Sequence, residues 1–122
     1  MKKLLLTFTL LLLGSYYILA QTIYSFTYNG NNYDIVKEKL SWEDAAAYAV
    51  NLGGHLIHIN NLEEQNAIYD TIVNGAQISD SYTTVADGGA IAYIWIGATD
   101  KNTEDDWIWD GDNDGVGESF WS

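Results

Sequence analysis

No cysteine occurs anywhere in the 122 residues, and for a chain this short that absence is the tightest constraint on the fold. Residues 1–20 are expected to leave the mature chain. Lys2 and Lys3 precede an apolar run from Leu4 to Leu13 broken only by Thr7 and Thr9, and Gly14, Ser15 and the Ile18-Leu19-Ala20 end follow before Gln21. This is the layout of a secretory signal peptide cleaved after Ala20, with an apolar core short for a membrane-spanning helix. The expectation is a signal peptide over 1–20 and one exported domain over 21–122, secreted or at the cell surface and not inserted in the membrane after cleavage. A domain of that size buries roughly two-thirds of its unfolded surface, which leaves a thin core. Exported domains often reinforce such a core with disulfides. This one has to hold itself by packing and by polar contacts, and it has neither thiolate metal sites nor a cysteine nucleophile.

Charge narrows the partners. From Gln21 onward Lys37, Lys39 and Lys101 are the only basic side chains apart from two histidines, against all seventeen acidic residues of the chain. Nucleic acid and anionic membrane surfaces are repelled by such a chain, whereas divalent cations are attracted.

The order of elements is legible from periodicity and turn chemistry. Alternation from Tyr24 to Tyr28, a turn at Asn29-Gly30-Asn31-Asn32, and a second run from Tyr33 to Val36 predict a hairpin. Ser41 is placed to cap a helix, with Glu43 and Asp44 in its first turn. Trp42, Ala45, Ala49 and Leu52 make one apolar stripe, and Gly53-Gly54 ends it. "HLIHI", from His55, reads as a short strand. Asn61 caps a second helix with Glu64 reaching back in a capping box, and Leu62, Tyr69, Ile72 and Val73 form its expected buried face. A polar loop follows from Asn74 to Gly89. "IAYIWIG", Ile91 to Gly97, is apolar enough for a central strand buried on both faces, and Trp107-Ile108-Trp109 reads as another strand before Asp110-Gly111. Helices beside a mostly antiparallel sheet make this an α+β domain.

Those segments taken in order, "WEDAAAYAVNLGGHLIHINNLEEQNAIYD", then "YIWIGATD", then "DDWIWDGD", resemble the front of a C-type lectin-like domain of the bacterial, cysteine-free sort. The likeness runs from about Tyr24 to Trp121. By that resemblance Trp42, Leu56, Trp95 and Gly97 are structural core residues, a role that the apolar patterns around them also suggest. The resemblance further implies that carbohydrate-binding residues are to be expected only beyond Ser122. There the family carries a long loop with a Glu-Pro-Asn or Gln-Pro-Asp triplet, and then Trp-Asn-Asp on a following strand. The expectation is therefore an incomplete C-type lectin-like fold, two helices beside a mostly antiparallel sheet, stopping before the long loop and the last strands.

The stretch with most chemistry is "DGDNDGVGE", Asp110 to Glu118, with four carboxylates and three glycines in nine positions. Calcium takes six to eight oxygens, and D-x-D-x-D-G loops supply them from alternate positions with glycine at the sharp turn. Asp110, Asp112 and Asp114 fall at the first, third and fifth positions, the Val116 carbonyl at the seventh and Glu118 at the ninth. Trp121 stands where an EF-hand has its bidentate glutamate, and no helix precedes the loop. The pattern is closer to the aspartate-rich loops of thrombospondin type 3 repeats. The competing reading is a solvated acidic turn, since Asp, Asn and Gly favour turns for backbone reasons alone.

Other clusters are weaker. Asp100, Glu104, Asp105 and Asp106 lack any sign of the opposed pair that a glycosidase needs, and the chain is not expected to be an enzyme. His55 and His58 should point to opposite sides of a strand, with His58 at the surface. Tyr82 and Tyr93 fit no apolar pattern. Taken together, the sequence predicts a secreted C-type lectin-like binding module, with calcium-dependent carbohydrate binding in the complete domain and carbohydrate or a glycoconjugate as partner. The alternative is an adhesion module that contacts an extracellular protein, with a structural calcium loop and no sugar site.

Overall fold

The computed structural model describes residues 22–78 and 93–122, so the expected signal peptide and Tyr82 lie outside it. Among these residues the order is β1 (Ile23–Tyr28), β2 (Asn31–Val36), α1 (Trp42–Asn51), α2 (Leu62–Asp70) running into a π-helical turn (Thr71–Gly75), β3 (Ala98–Thr99), β4 (Trp107–Trp109) and β5 (Glu118–Trp121). The strands form two antiparallel sheets, β1-β2 and β3-β4-β5. The architecture is α+β, as expected.

The first hairpin turns more tightly than its four polar residues suggest. Asn29 and Gly30 alone make the corner, at φ 52° and 80°, the left-handed pair that matches the twist of the flanking strands. Asn31 and Asn32 are strand residues facing Tyr28 and Thr27. Phe26 stacks on Tyr33 at 5.0 Å between ring centroids, and Ile35 is buried.

Helix α1 follows its signals closely. The Ser41 hydroxyl accepts from the Asp44 amide at 3.1 Å, and Ala46 is fully buried. At the far end Gly53, at φ 89°, donates to Val50 O while Gly54 donates to Ala49 O. That pair of bonds satisfies two of the carbonyls a helix end leaves open. The Trp42 indole N–H donates to Ile96 O at 2.9 Å and ties the helix to the second half of the chain. Trp42→Phe leaves that carbonyl without its donor and should destabilise the domain by about 1–2 kcal/mol in urea denaturation.

Three expectations are corrected. His55 to Ile59 does not form a strand. It threads between two glycines instead, Leu56 N–H donating to Gly111 O and Gly97 N–H to Ile57 O, each at 2.9 Å, so its bonds go singly to two partners rather than in a ladder to one. Helix α2 is rotated from its expected face: Leu62, Tyr69 and Val73 are exposed while Glu64 is buried. The hydrogen bonds of Glu64 hold that side inward, with Ala67, Ile68 and Ile72 half-buried behind it at helical spacing. Finally, the central strand expected over Ile91–Gly97 is absent from its described part. Tyr93, Ile94 and Trp95 are exposed, and the strand lies further along, at Ala98–Thr99, because that is the segment β4 pairs with.

Candidate metal loop on the β4–β5 hairpin

Chain convergence positions the loop. Asp110 follows β4 directly, and its amide donates to Gly97 O at 2.8 Å. Gly97 is itself buried. A Cβ at Gly97 would stand 2.9 Å from Leu56 O and 3.0 Å from the Gly111 Cα, so glycine is what lets these strands and the Leu56 segment meet. Asp110 therefore enters the loop from a fixed, buried point, with only 3% of its surface exposed.

From there the loop wraps around the Asp110 carboxylate. Oδ1 accepts from the Asp114 amide at 3.0 Å and Oδ2 from the Gly115 amide at 3.1 Å. Asp114 Oδ1 in turn accepts from the Val116 amide at 2.7 Å. Asn113 and Gly115 take left-handed φ of 58° and 84°, which asparagine and glycine tolerate. Two residues that the sequence did not single out brace the loop from the β3–β4 connection. Asn102 Nδ2 donates to Gly115 O at 3.3 Å, and Lys101 Nζ to Asn113 Oδ1 at 3.4 Å. Their contribution depends on a turn bringing them across, which spacing does not reveal.

As a result, one carboxylate oxygen from each of Asp110, Asp112 and Asp114 lies within 4.8 Å of the others. Calcium–oxygen bonds of 2.3–2.6 Å allow two oxygens on opposite sides of one ion to be at most about 5 Å apart. A single ion therefore fits between the three, and the remaining coordination sites would fall to carbonyls and water. Lys101, whose Nζ reaches Asn113 in the loop, pairs with Glu43 at 3.5 Å.

The other expected ligands are Glu118 and the Val116 carbonyl. Glu118 is not brought into the group: it is an exposed strand residue opposite Trp109 in β5. Val116 is 75% exposed and faces Asp114 through its amide. Strand β5, "ESFW", adds to the elements expected from the sequence, which end with the strand Trp107-Ile108-Trp109. Among the described residues Asp100, Glu104, Asp105 and Asp106 do not form a second converging group; Asp106 instead accepts from the Ser119 hydroxyl at 2.6 Å.

Beneath the loop lies an aromatic hairpin. Trp109 is sandwiched, with the His58 ring at 4.4 Å and the Phe120 ring at 4.6 Å, and Trp107 stacks on Trp121 at 6.4 Å. His58, expected at the surface, is half-buried against Trp109. Both rings of the Phe120-Trp121 pair reach β4 because the register between the strands shifts at Trp107/Ile108, and such a bulge re-aims neighbouring side chains. Of the residues matched to core positions, Gly97 is buried and Trp42 and Leu56 are half-buried. Trp95 departs from that role: it is 46% exposed, with its indole N–H donating to Leu40 O at 2.9 Å.

Among the described residues, two helices beside antiparallel sheets, with a carboxylate-lined loop at the tip of a tryptophan-bearing hairpin, define an α+β domain. The chain belongs to the C-type lectin domain family, whose pattern matches residues 38–121; domains of this family generally bind calcium, and its members are binding proteins. It is 29% identical over 94 residues to a perlucin-like protein of Mytilus galloprovincialis, covering 77% of this chain and 53% of that protein. With C-type lectin domain family 4 member F of Mus musculus it shares 30% identity over 97 residues, 77% of this chain and 15% of that one. With dromaiocalcin-2 of Dromaius novaehollandiae the identity is 33% over 72 residues, 57% of this chain and 48% of the relative. The chain thus spans about half or less of the length of these relatives. No solved structure matches it.

Proposed function

We propose that this chain is the front of an exported C-type lectin-like module that binds carbohydrate in a calcium-dependent way in the complete domain, and that Asp110, Asp112 and Asp114 hold a calcium ion that rigidifies the β4–β5 hairpin. The observation that carries the calcium half is the mutual approach of three carboxylate oxygens within 4.8 Å, at a spacing one calcium ion spans. Glu118 is left out of this ligand set, since it sits in a strand opposite Trp109, and the Val116 carbonyl is kept as a further oxygen for the ion. The carbohydrate half rests on membership of the C-type lectin family. The ion would contribute charge neutralisation and loop order, and the chain's own residues supply the frame: Asp110 anchors the turn, and Asn102 and Lys101 brace it.

Glycan-array binding of the complete domain, carrying its long loop and last strands, with calcium and then with chelator, tests the reading. Glycan binding that disappears with chelator supports it. Binding that chelator leaves unchanged would separate the sugar from the metal. A second reading, contact with an extracellular protein and only a structural calcium, is favoured by Phe120 and Trp121, which are 47% and 67% exposed beside the loop. Exposed aromatics of this kind anchor protein interfaces. Under that reading the array stays blank while the calcium-dependent stability remains.

A further inference from the structure

Side chains hold successive peptide groups of the acidic loop. The 113–114 and 114–115 peptides donate their N–H groups to the two oxygens of Asp110. The 115–116 peptide is gripped at both ends. Its N–H donates to Asp114 Oδ1 at 2.7 Å, and its carbonyl, Gly115 O, accepts from Asn102 Nδ2 at 3.3 Å. A peptide unit is planar, so bonds at its two ends fix how the whole unit is turned. Asp110 and Asp114 belong to the carboxylate group itself. Asn102 comes from outside the acidic stretch, on the connection between β3 and β4.

That connection is anchored to the sheet. Thr99 in β3 is buried, at 8% exposure, and its hydroxyl accepts from the Lys101 amide at 3.2 Å. Further along, Asp106 N–H donates to Thr103 O at 3.0 Å, with Asp105 in a left-handed φ of 68° between them. Asn102 stands between these two bonds, so its side chain reaches Gly115 from a turn that the sheet holds in place.

We propose that Asn102 is a positioning residue for calcium, an uncharged donor that fixes the 115–116 peptide and through it the Asp114 carboxylate. The inference rests on the calcium reading above and deepens it. One oxygen of Asp114 is taken by the Val116 amide, so the carboxylate turns with that peptide, and the backbone leading to the Val116 carbonyl turns with it too. Gly115, at φ 84°, has no Cβ to limit such turning. The restraint therefore comes from Asn102. A ligand group already held in place loses less freedom when its ion binds, and binds it more tightly. Charge makes the opposite demand at this position. A carboxylate at residue 102 would attract a cation more strongly than asparagine does, but it has no donor for Gly115 O.

Calorimetric titration of the full chain with calcium, in wild type, Asn102→Ala and Asn102→Asp, tests this. Loss of one such bond should weaken calcium binding about fivefold in Asn102→Ala. Asn102→Asp keeps the shape and adds a negative charge but loses the donor, and it should also bind calcium more weakly than wild type. Hydrogen exchange in chelator gives a second reading that needs no ion. There the Val116 amide of Asn102→Ala should exchange about fivefold faster than in wild type. The Asp114 and Gly115 amides, held by Asp110, should keep their protection. Wild-type affinity in Asn102→Ala, tighter binding in Asn102→Asp, or a Val116 amide that exchanges no faster than in wild type overturns the proposal. The calcium reading survives each of those results, because the wild type still binds the ion. A wild type that takes up no calcium overturns both.

Discussion

Gly111→Ala is expected to destabilise the domain by about 3 kcal/mol or more. Glycine is required here for space rather than for an unusual φ. The new Cβ would overlap Leu56 O and stand 3.0 Å and 3.1 Å from Leu56 C and N. All of these are backbone atoms, so no side-chain rotation relieves the clash. The same peptide groups make the bond from Leu56 N–H to Gly111 O, and separating them strains the neighbouring bonds through Gly97 as well. Gly115→Ala is the useful contrast. Gly115 has φ of 84° but a nearest neighbour at 3.6 Å, Asn102 Nδ2, so alanine meets only backbone strain, worth about 1 kcal/mol. Urea midpoints should rank wild type above Gly115→Ala, and Gly115→Ala well above Gly111→Ala. A Gly111→Ala midpoint equal to that of wild type would mean that the three segments do not converge at this glycine.

That convergence also explains which features the sequence revealed and which it did not. Signals confined to a few adjacent residues were dependable: the Ser41 and Asn61 caps, the Asn29-Gly30 corner and the Gly53-Gly54 helix end all act through their own turn. The capping box was nearly legible, but the amide that Glu64 reaches belongs to Asn60 rather than to Asn61. Features set by distant partners were hidden. "HLIHI" and "IAYIWIG" have the composition of strands, yet a strand needs a ladder, and the first is shared between two glycine-lined neighbours. The helix α2 face was misjudged because a hydrophobic pattern cannot show that a carboxylate has three donors waiting for it. In the acidic loop, the order of the three aspartates pointed to their meeting. Whether Glu118 joined them depended on where β5 begins, and Asn102 came from a different turn altogether.

Chelation should lower the melting temperature of the calcium-loaded chain by about 10 °C or more. Extracellular calcium sites commonly bind at about 10⁻⁴ to 10⁻³ M, and free ion at about a hundred times the dissociation constant stabilises the folded state by about 2.7 kcal/mol. In a small domain each kcal/mol moves the midpoint by about 4–8 °C. Asp112 is the residue to remove. Asp110 also accepts two backbone N–H bonds and Asp114 one, so their loss would damage the apo loop itself. Asp112 is exposed, and among the described residues its side chain makes no such bond. Asp112→Ala should therefore melt close to the chelated wild type and respond little to calcium. Glu118→Gln, altered at a strand position opposite Trp109, should keep the full calcium response. If instead Glu118→Gln loses the response and Asp112→Ala retains it, the ion is held lower on the hairpin. Calcium would then be ordering β5 and its aromatic rings rather than the turn above them.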